Sequence, residues 1–380
     1  MLEKRFKKGF GVFFDSSKNT SGQRFFDNLN QELLPDQIDL DQKPYIVLFN
    51  VSAPINEIIK AKIRGQKVVL RVDGLYFDKL SPAFISTFKS PLRMVFSIGL
   101  KYKRIHNFLA FWANFLNRNF GGFFRILLAN FIIYQSEFSK NLHHPYFSKK
   151  KSDIIVNGSS INFWNESIFN SKDSEIKLIT IYDDWKPAKR MHDIVSFVSW
   201  AREILNIPIH LTILGYTGKV PVCVSQAEEI KNTIENSPYI RTFPRFKAFD
   251  DTSRDALLKS DMYISFSYRD PCPNSVVESM AHGLPVVGIA SGGIADIVGN
   301  AGELLPADDF SKGFFSSYRF DCDFPTIDFE QLLSLVIKVK ENNFMYRERV
   351  KKRFIDDLCI KVVASKYKRA MESILIGTNK

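Results

Sequence analysis

The sequence predicts an α/β protein of two Rossmann-like, doubly wound domains that face each other across a cleft. Three observations lead there. The chain has 380 residues, more than one core usually holds. Short apolar runs alternate with longer amphipathic ones, as when strands are layered with helices. The alternation lapses in an Asn- and Ser-rich stretch from Asn157 to Ser174, then restarts. The expected division is an N-terminal domain over 1–170, a second domain over 171–360, and a helix over 361–380 that packs back toward the first domain.

In the first half, strands are expected at Gly11–Phe14, Tyr45–Asn50, Lys67–Asp73, Asn130–Tyr134 and Lys151–Val156, with helices at Gly22–Leu33 and Ile55–Arg64. In the second half, strands are expected at Lys177–Tyr182, Ile209–Gly215, Ile240–Phe243, Met262–Ser267 and Pro285–Ile289. Helices are expected at Lys189–Leu205, Ser225–Glu235, Thr252–Ser260, Ser275–His282 and Ile294–Val298, with long charged helices at Phe329–Phe354 and Val362–Ile376. Ligands of such sheets bind at the carboxyl ends of the strands.

Composition narrows the function classes. An apolar content of 45% and a charged content of 24% exclude wholesale disorder. Cys223, Cys272, Cys322 and Cys359 form no CxxC pair, so neither a zinc site nor a disulfide framework is expected, and a reducing, cytoplasmic compartment is. The histidines have no metal-ligand spacing; no metal and no cofactor are expected. The start of the chain does not read as a signal peptide. The longest apolar run, Phe120–Tyr134, is interrupted by Arg125, so no transmembrane helix is expected.

The net charge of +11 is unevenly spread. Residues 1–170 hold 24 Lys and Arg against 13 Asp and Glu, and residues 171–380 hold 28 of each. No acid stands between Asp78 and Glu137, where Lys89, Arg93, Lys101, Lys103, Arg104, Arg118 and Arg125 are interleaved with Phe and Trp. Residues 80–136 are therefore expected to meet an anionic membrane surface or a lipid-linked acceptor, on the inner face of the cytoplasmic membrane; nucleic acid is not an expected partner.

The segment Ser260–Gly288, with Ile289–Ile294 after it, carries the chemistry. A strand runs into a Pro-rich loop holding Asp270. A helix opens at Ser275 with Glu278 in its first turn, Gly283 ends it, and a Gly292–Gly293 turn follows the next strand. A helix N-terminus offers unpaired N–H groups and a positive dipole end, a seat for phosphate, flanked here by two carboxylates. Other readings stand beside this one: Ser275-x-x-Glu278 is also a capping box, and Asp270 before Pro271 also suits an ordinary turn.

This segment resembles the retaining glycosyltransferases of family 4, which have the GT-B fold. Their two acids separated by seven residues, helix, Gly-Leu-Pro-Val-Val and Gly-Gly turn match Asp270, Glu278, Gly283–Val287 and Gly292–Gly293 here. Val72–Tyr76, Tyr134–Lys140 and Ile155–Gly158 also look like family segments. The resemblance implies that Asp270 contacts hydroxyls of the donor sugar and Glu278 the ribose of a nucleoside diphosphate. It also implies that Pro273 and two to four amides of Asn274, Ser275, Val276 and Val277 lie against the diphosphate, with Lys189 as a phosphate-binding cation. The sequence departs from the family in having Asp rather than Glu at 270. It also has Asp184 where the family has Arg, a charge that Lys186 or Arg190 is expected to supply. Gly22 and Asp73 are further candidates, for the donor phosphate and for catalysis. The implied reaction moves a sugar from a nucleoside-diphosphate sugar to a glycan or lipid-linked acceptor with retention, in bacterial lipopolysaccharide, capsule or exopolysaccharide synthesis. A nucleotide-sugar epimerase on the same fold, and a degenerate transferase that grips membrane or nucleic acid, are the alternatives.

Overall fold

The computed structural model describes residues 6–14, 21–76, 80–160, 174–182, 187–219, 227–244, 251–307 and 324–376. Within these, the chain separates into two compact units, 6–155 with 364–376 and 156–307 with 324–363.

The first unit holds a five-stranded parallel sheet of β1 (Lys7–Val12), β2 (Pro44–Asn50), β3 (Lys67–Val72), β4 (Phe131–Tyr134) and β5 (Lys151–Ile154), paired in that order without reversal. The central strands are buried on both faces and read as near-continuous apolar runs, as parallel strands do. β1 starts earlier than the sequence suggests. It is an edge strand whose register shifts between Lys7 and Phe10, and its first residues, Lys7 and Lys8, are exposed, so its leading half has no apolar signature. Between β3 and β4 stand helices over Pro82–Ser86, Leu92–Lys101, Lys103–Asn114 and Phe120–Leu128 that the apolar pattern did not reveal. In the part of the C-terminal helix that belongs to this unit, Lys368 reaches Asp36 at 2.9 Å.

The second unit holds a six-stranded parallel sheet: β6 (Ile176–Ile181), β7 (Ile209–Leu214), β8 (Ile240–Phe243), β9 (Met262–Ser265), β10 (Val286–Ala290) and β11 (Gly302–Pro306). The order is β11-β10-β9-β6-β7-β8. The chain builds outward from β6 to β8 and then returns to the other side, pairing Leu178 with Met262 and Ile179 with Tyr263. That reversal makes the β6/β9 junction the topological switch point of a doubly wound sheet. The period of two divides its core. Leu178, Ile264 and Val287 fall in one buried cluster, beneath the Met191–Ser199 and Phe329–Glu341 helices. Their neighbours Ile179, Tyr263 and Val286 fall in the other, beneath the Asn274–Ala281 and Ile294–Val298 helices.

Two long helices expected from the sequence are broken. The one expected over Lys189–Leu205 is a 3₁₀ turn at Pro187–Lys189, a left-handed Arg190 (φ 54°) and a helix from Met191. The one expected over Phe329–Phe354 breaks at Asn342, whose ψ of 26° leaves the helical range. β11, an edge strand, was not foreseen. Among the described residues, no helix is long and apolar enough to cross a membrane.

Candidate functional site

Three loops leave the carboxyl ends of β6, β9 and β10, and main-chain hydrogen bonds stitch them together. The Tyr268 N–H donates to Ala188 O (2.7 Å) and the Gly293 N–H to Asp270 O (2.8 Å). The Arg269 N–H donates to Ser291 Oγ (2.9 Å). Gly292 sits at φ 69°, and a Cβ there would lie 2.2 Å from Asp270 O, so only glycine lets the third loop come this close to the second.

This stitching brings Lys189 and Asp270 together at the switch point. Lys189 Nζ lies 2.5 Å from Asp270 Oδ2, with the side chains 28% and 24% exposed. The other carboxylate oxygen accepts the Cys272 N–H at 3.1 Å. The Tyr182 hydroxyl donates to Lys189 O (2.7 Å). Both side chains adjoin strained backbone. Of the four described non-glycine residues with positive φ, Arg190 follows Lys189 and Arg269 precedes Asp270. Left-handed backbone disfavours such side chains by about 1–2 kcal/mol per residue.

The helix beside the pair spans Asn274–Ala281 and is capped by Pro273, not Ser275. Proline has no side-chain acceptor, and Ser275 lies inside the first turn, so the capping box that Ser275 and Glu278 suggest is not formed. The Val276 and Val277 N–H groups donate to Pro273 O (3.0 and 3.4 Å). The amides at the tip of the helix are thus those of Asn274 and Ser275, two of the four that the sequence singles out. Asn157, in the Ile155–Gly158 segment, donates through Nδ2 to Asn274 Oδ1 (2.7 Å) and braces the tip. The Ser275 side chain hydrogen-bonds Tyr263, whose phenol burial pushes up to about 12. Glu278 is half-buried one turn further on, and its carbonyl meets the buried His282 Nδ1 at 2.8 Å. Burial lowers the pKa of His282.

Arg190 is turned away from solvent, with Nε on Asp193 (2.7 Å), Nη2 on Pro325 O (2.8 Å) and the guanidinium over the Phe324 ring. Its Nη1 is buried with no partner among the described residues. Lys186 lies outside the described residues. Gly22 falls in the first turn of the Ser21–Leu33 helix. Asp73 belongs to the first unit, just past β3, and accepts from Arg71 Nη1 (2.8 Å) and from Gln135 Nε2. Arg71 is 1% exposed and also reaches Asn50 Oδ1 (3.1 Å). The sequence reading passed over Asn50, Arg71 and Gln135; a lone Arg between Leu70 and Val72 in a central strand was the available signal, because a buried guanidinium needs acceptors.

Residues 186–318 match the family model described as glycosyl transferases group 1. The chain has the GT-B fold. Among solved structures, it is similar to Anabaena HepE in complex with UDP-glucose, at 10% identity, with a TM-score of 0.55 over 96% of this chain and 99% of that one. It is similar to sucrose-phosphate synthase from Thermosynechococcus elongatus, at 11% identity and a TM-score of 0.54 over 97% and 89%. The pneumococcal O-GlcNAc transferase GtfA, in complex with UDP and GlcNAc, aligns at 15% identity and a TM-score of 0.54 over 87% of this chain and 57% of that one, so this chain spans little more than half of GtfA. No curated protein matches the sequence.

Proposed function

We propose that the protein is a retaining glycosyltransferase of the family 4 type. It moves a sugar from a nucleoside-diphosphate sugar to a hydroxyl of a glycan or lipid-linked acceptor in the synthesis of a bacterial surface polysaccharide. The observation that carries this reading is the Lys189–Asp270 pair at the switch point, beside a helix tip with no side-chain cap.

In this reading the diphosphate lies against the Asn274 and Ser275 amides and Lys189. Asp270 accepts hydroxyls of the donor sugar, and Glu278 those of the ribose. As the bond from the anomeric carbon to the diphosphate oxygen breaks, charge grows on the leaving group, where the ammonium and the helix dipole stabilise it. The acceptor oxygen bonds to the anomeric carbon from the same face, and its proton passes to the departing diphosphate, so no protein nucleophile is needed. Asp73, the catalytic candidate of the first unit, is held in place by Arg71 and Gln135. The excess of positive charge in residues 1–170 supports an anionic, membrane-side acceptor.

The test is a thermal-shift screen of the full chain with UDP-, GDP- and ADP-sugars, followed by turnover assays. UDP-sugars come first because HepE and GtfA were solved with UDP-glucose and UDP. One donor class is expected to raise the melting temperature, and Glu278→Ala to reduce the rise at the same ligand concentration. A folded protein that no nucleotide sugar stabilises overturns the reading.

A further inference from the structure

We propose that the Leu92–Lys101 and Lys103–Asn114 helices are a docking element that seats its outer apolar ridge in the surface of an anionic lipid bilayer. The inference deepens the membrane side of the reading above. It rests on the geometry of the first unit rather than on donor chemistry.

The two helices are joined by the single residue Tyr102 and locked to each other. Gly99 has no side chain, so Leu80 and Leu109 close on it; a Cβ there would lie 2.6 Å from Leu80 Cδ1 and 3.2 Å from Leu109 Cδ1. His106 Nδ1 meets Gly99 O at 3.0 Å. The inner side, Phe96, Ala110 and Ala113, is buried with Leu80, Phe84 and Ile85. Packing is therefore already satisfied on that side.

The outer side is also apolar, which packing does not explain. Ile105, Phe108, Trp112 and Leu116 recur at three- and four-residue steps, which puts them on one helical face, and all four are exposed, Phe108 by 63%. The preceding helix adds Met94, 69% exposed, and Ile98, with Tyr102 at its end. A soluble surface rarely carries such a contiguous patch without a partner. The charged residues around it decide the occupant. Lys89, Arg93, Lys101 and Arg104 are exposed at its margins, and the sequence has no acid from Lys79 to Ser136. A protein partner would ordinarily be met by charges of both signs, whereas an anionic headgroup layer calls for apolar ridge and cations together. The second helix runs on through a π turn at Phe115–Asn119 into Phe120–Leu128, but among the described residues no helix is both long and apolar enough to cross a bilayer, so the geometry is that of a helix lying in the interface.

The test is flotation of the full chain with vesicles of phosphatidylcholine alone and of phosphatidylcholine with phosphatidylglycerol at about 7:3, a composition with a negative surface potential. Binding is expected to the anionic vesicles only and to weaken with salt. Phe108→Asp/Trp112→Asp is expected to lower it at least tenfold. Arg93→Gln/Lys101→Gln is expected to lower it roughly 25-fold, at about fivefold per charge. Trp112 emission is expected to shift to the blue on binding, and the shift to vanish in Trp112→Phe. Both double variants lie outside the donor site, so an unchanged melting temperature and circular dichroism show that they fold, and any nucleotide-sugar stabilisation reports separately on the reading above. A chain that floats with neither vesicle, or equally with both, overturns the proposal. So does a dimer in sedimentation that Phe108→Asp/Trp112→Asp dissociates while the parent ignores vesicles, because the ridge would then be a self-interface.

Discussion

Lys189 and Asp270, 81 residues apart in sequence, share a 2.5 Å contact because the loops after β6 and β9 meet at the switch point of the second sheet. The pair is about a quarter exposed, where an ion pair contributes about 0–1 kcal/mol to stability. Lys189→Ala is therefore expected to leave the melting temperature within a few degrees of the parent. It is expected to lower kcat by about 10²–10³, the scale of losing one donor to a developing anion. A large drop in melting temperature with turnover intact would assign the pair to folding instead.

Glu278 is a half-buried carboxylate on a helix that another residue caps. Glu278→Ala is expected to raise the Kd for nucleotide about 10–100-fold, the range of a charge-assisted hydrogen bond. Asp270→Ala is expected to act mainly on kcat. Titration calorimetry with the nucleotide alone separates the two, because Asp270 is proposed to touch the sugar and not the nucleotide.

Gly292→Ala places a Cβ on Asp270 O at a left-handed φ. The substitution is expected to destabilise the second unit by at least about 2 kcal/mol, combining backbone strain and overlap. It is also expected to remove any stabilisation by donor, since the displaced loop carries Asp270. Calorimetry with and without nucleotide sugar reads both effects.

His143 is buried between Phe123 and Tyr134, and burial lowers its pKa to about 4, against the opposing effect of its bond to Ser139 O. The folded value lies below the unfolded value of about 6.5. Its contribution is thus fully present above pH 6.5 and is lost as the pH falls from there toward 4, because the unfolded chain takes up the proton first. The first unit is expected to lose on the order of 3 kcal/mol over that window, at about 1.4 kcal/mol per pKa unit. His143→Phe is expected to flatten the acid limb of the melting profile.

Much of this was legible from residue order, and the exceptions have physical causes. Parallel strands buried on both faces announce themselves as apolar runs, so β2, β3, β4 and β10 were located to within a residue. The acid-x7-acid spacing singled out Asp270 and Glu278, and the structure sets Asp270 against Lys189. The Leu92–Asn114 helices were missed because no capping residue marks where they start: Pro91 and Tyr102 precede them without a side-chain hydrogen bond to the first turn. Arg190 and Arg269 carry no signal of left-handed backbone, which is set by the tertiary bonds of Tyr268 and Ser291. The helix tip was misplaced by one residue because Ser275 is a good capping residue, and Pro273 fixes the entry instead.

The two left-handed arginines bear on how the protein responds to warming. Their torsional energy is released as soon as the loops after β6 and β9 drift apart, while the sheet beneath them gains nothing by melting. Heat is thus expected to disorder the proposed site some degrees below the temperature at which the strands separate, and a bound nucleotide, by bridging the loops, to close that gap.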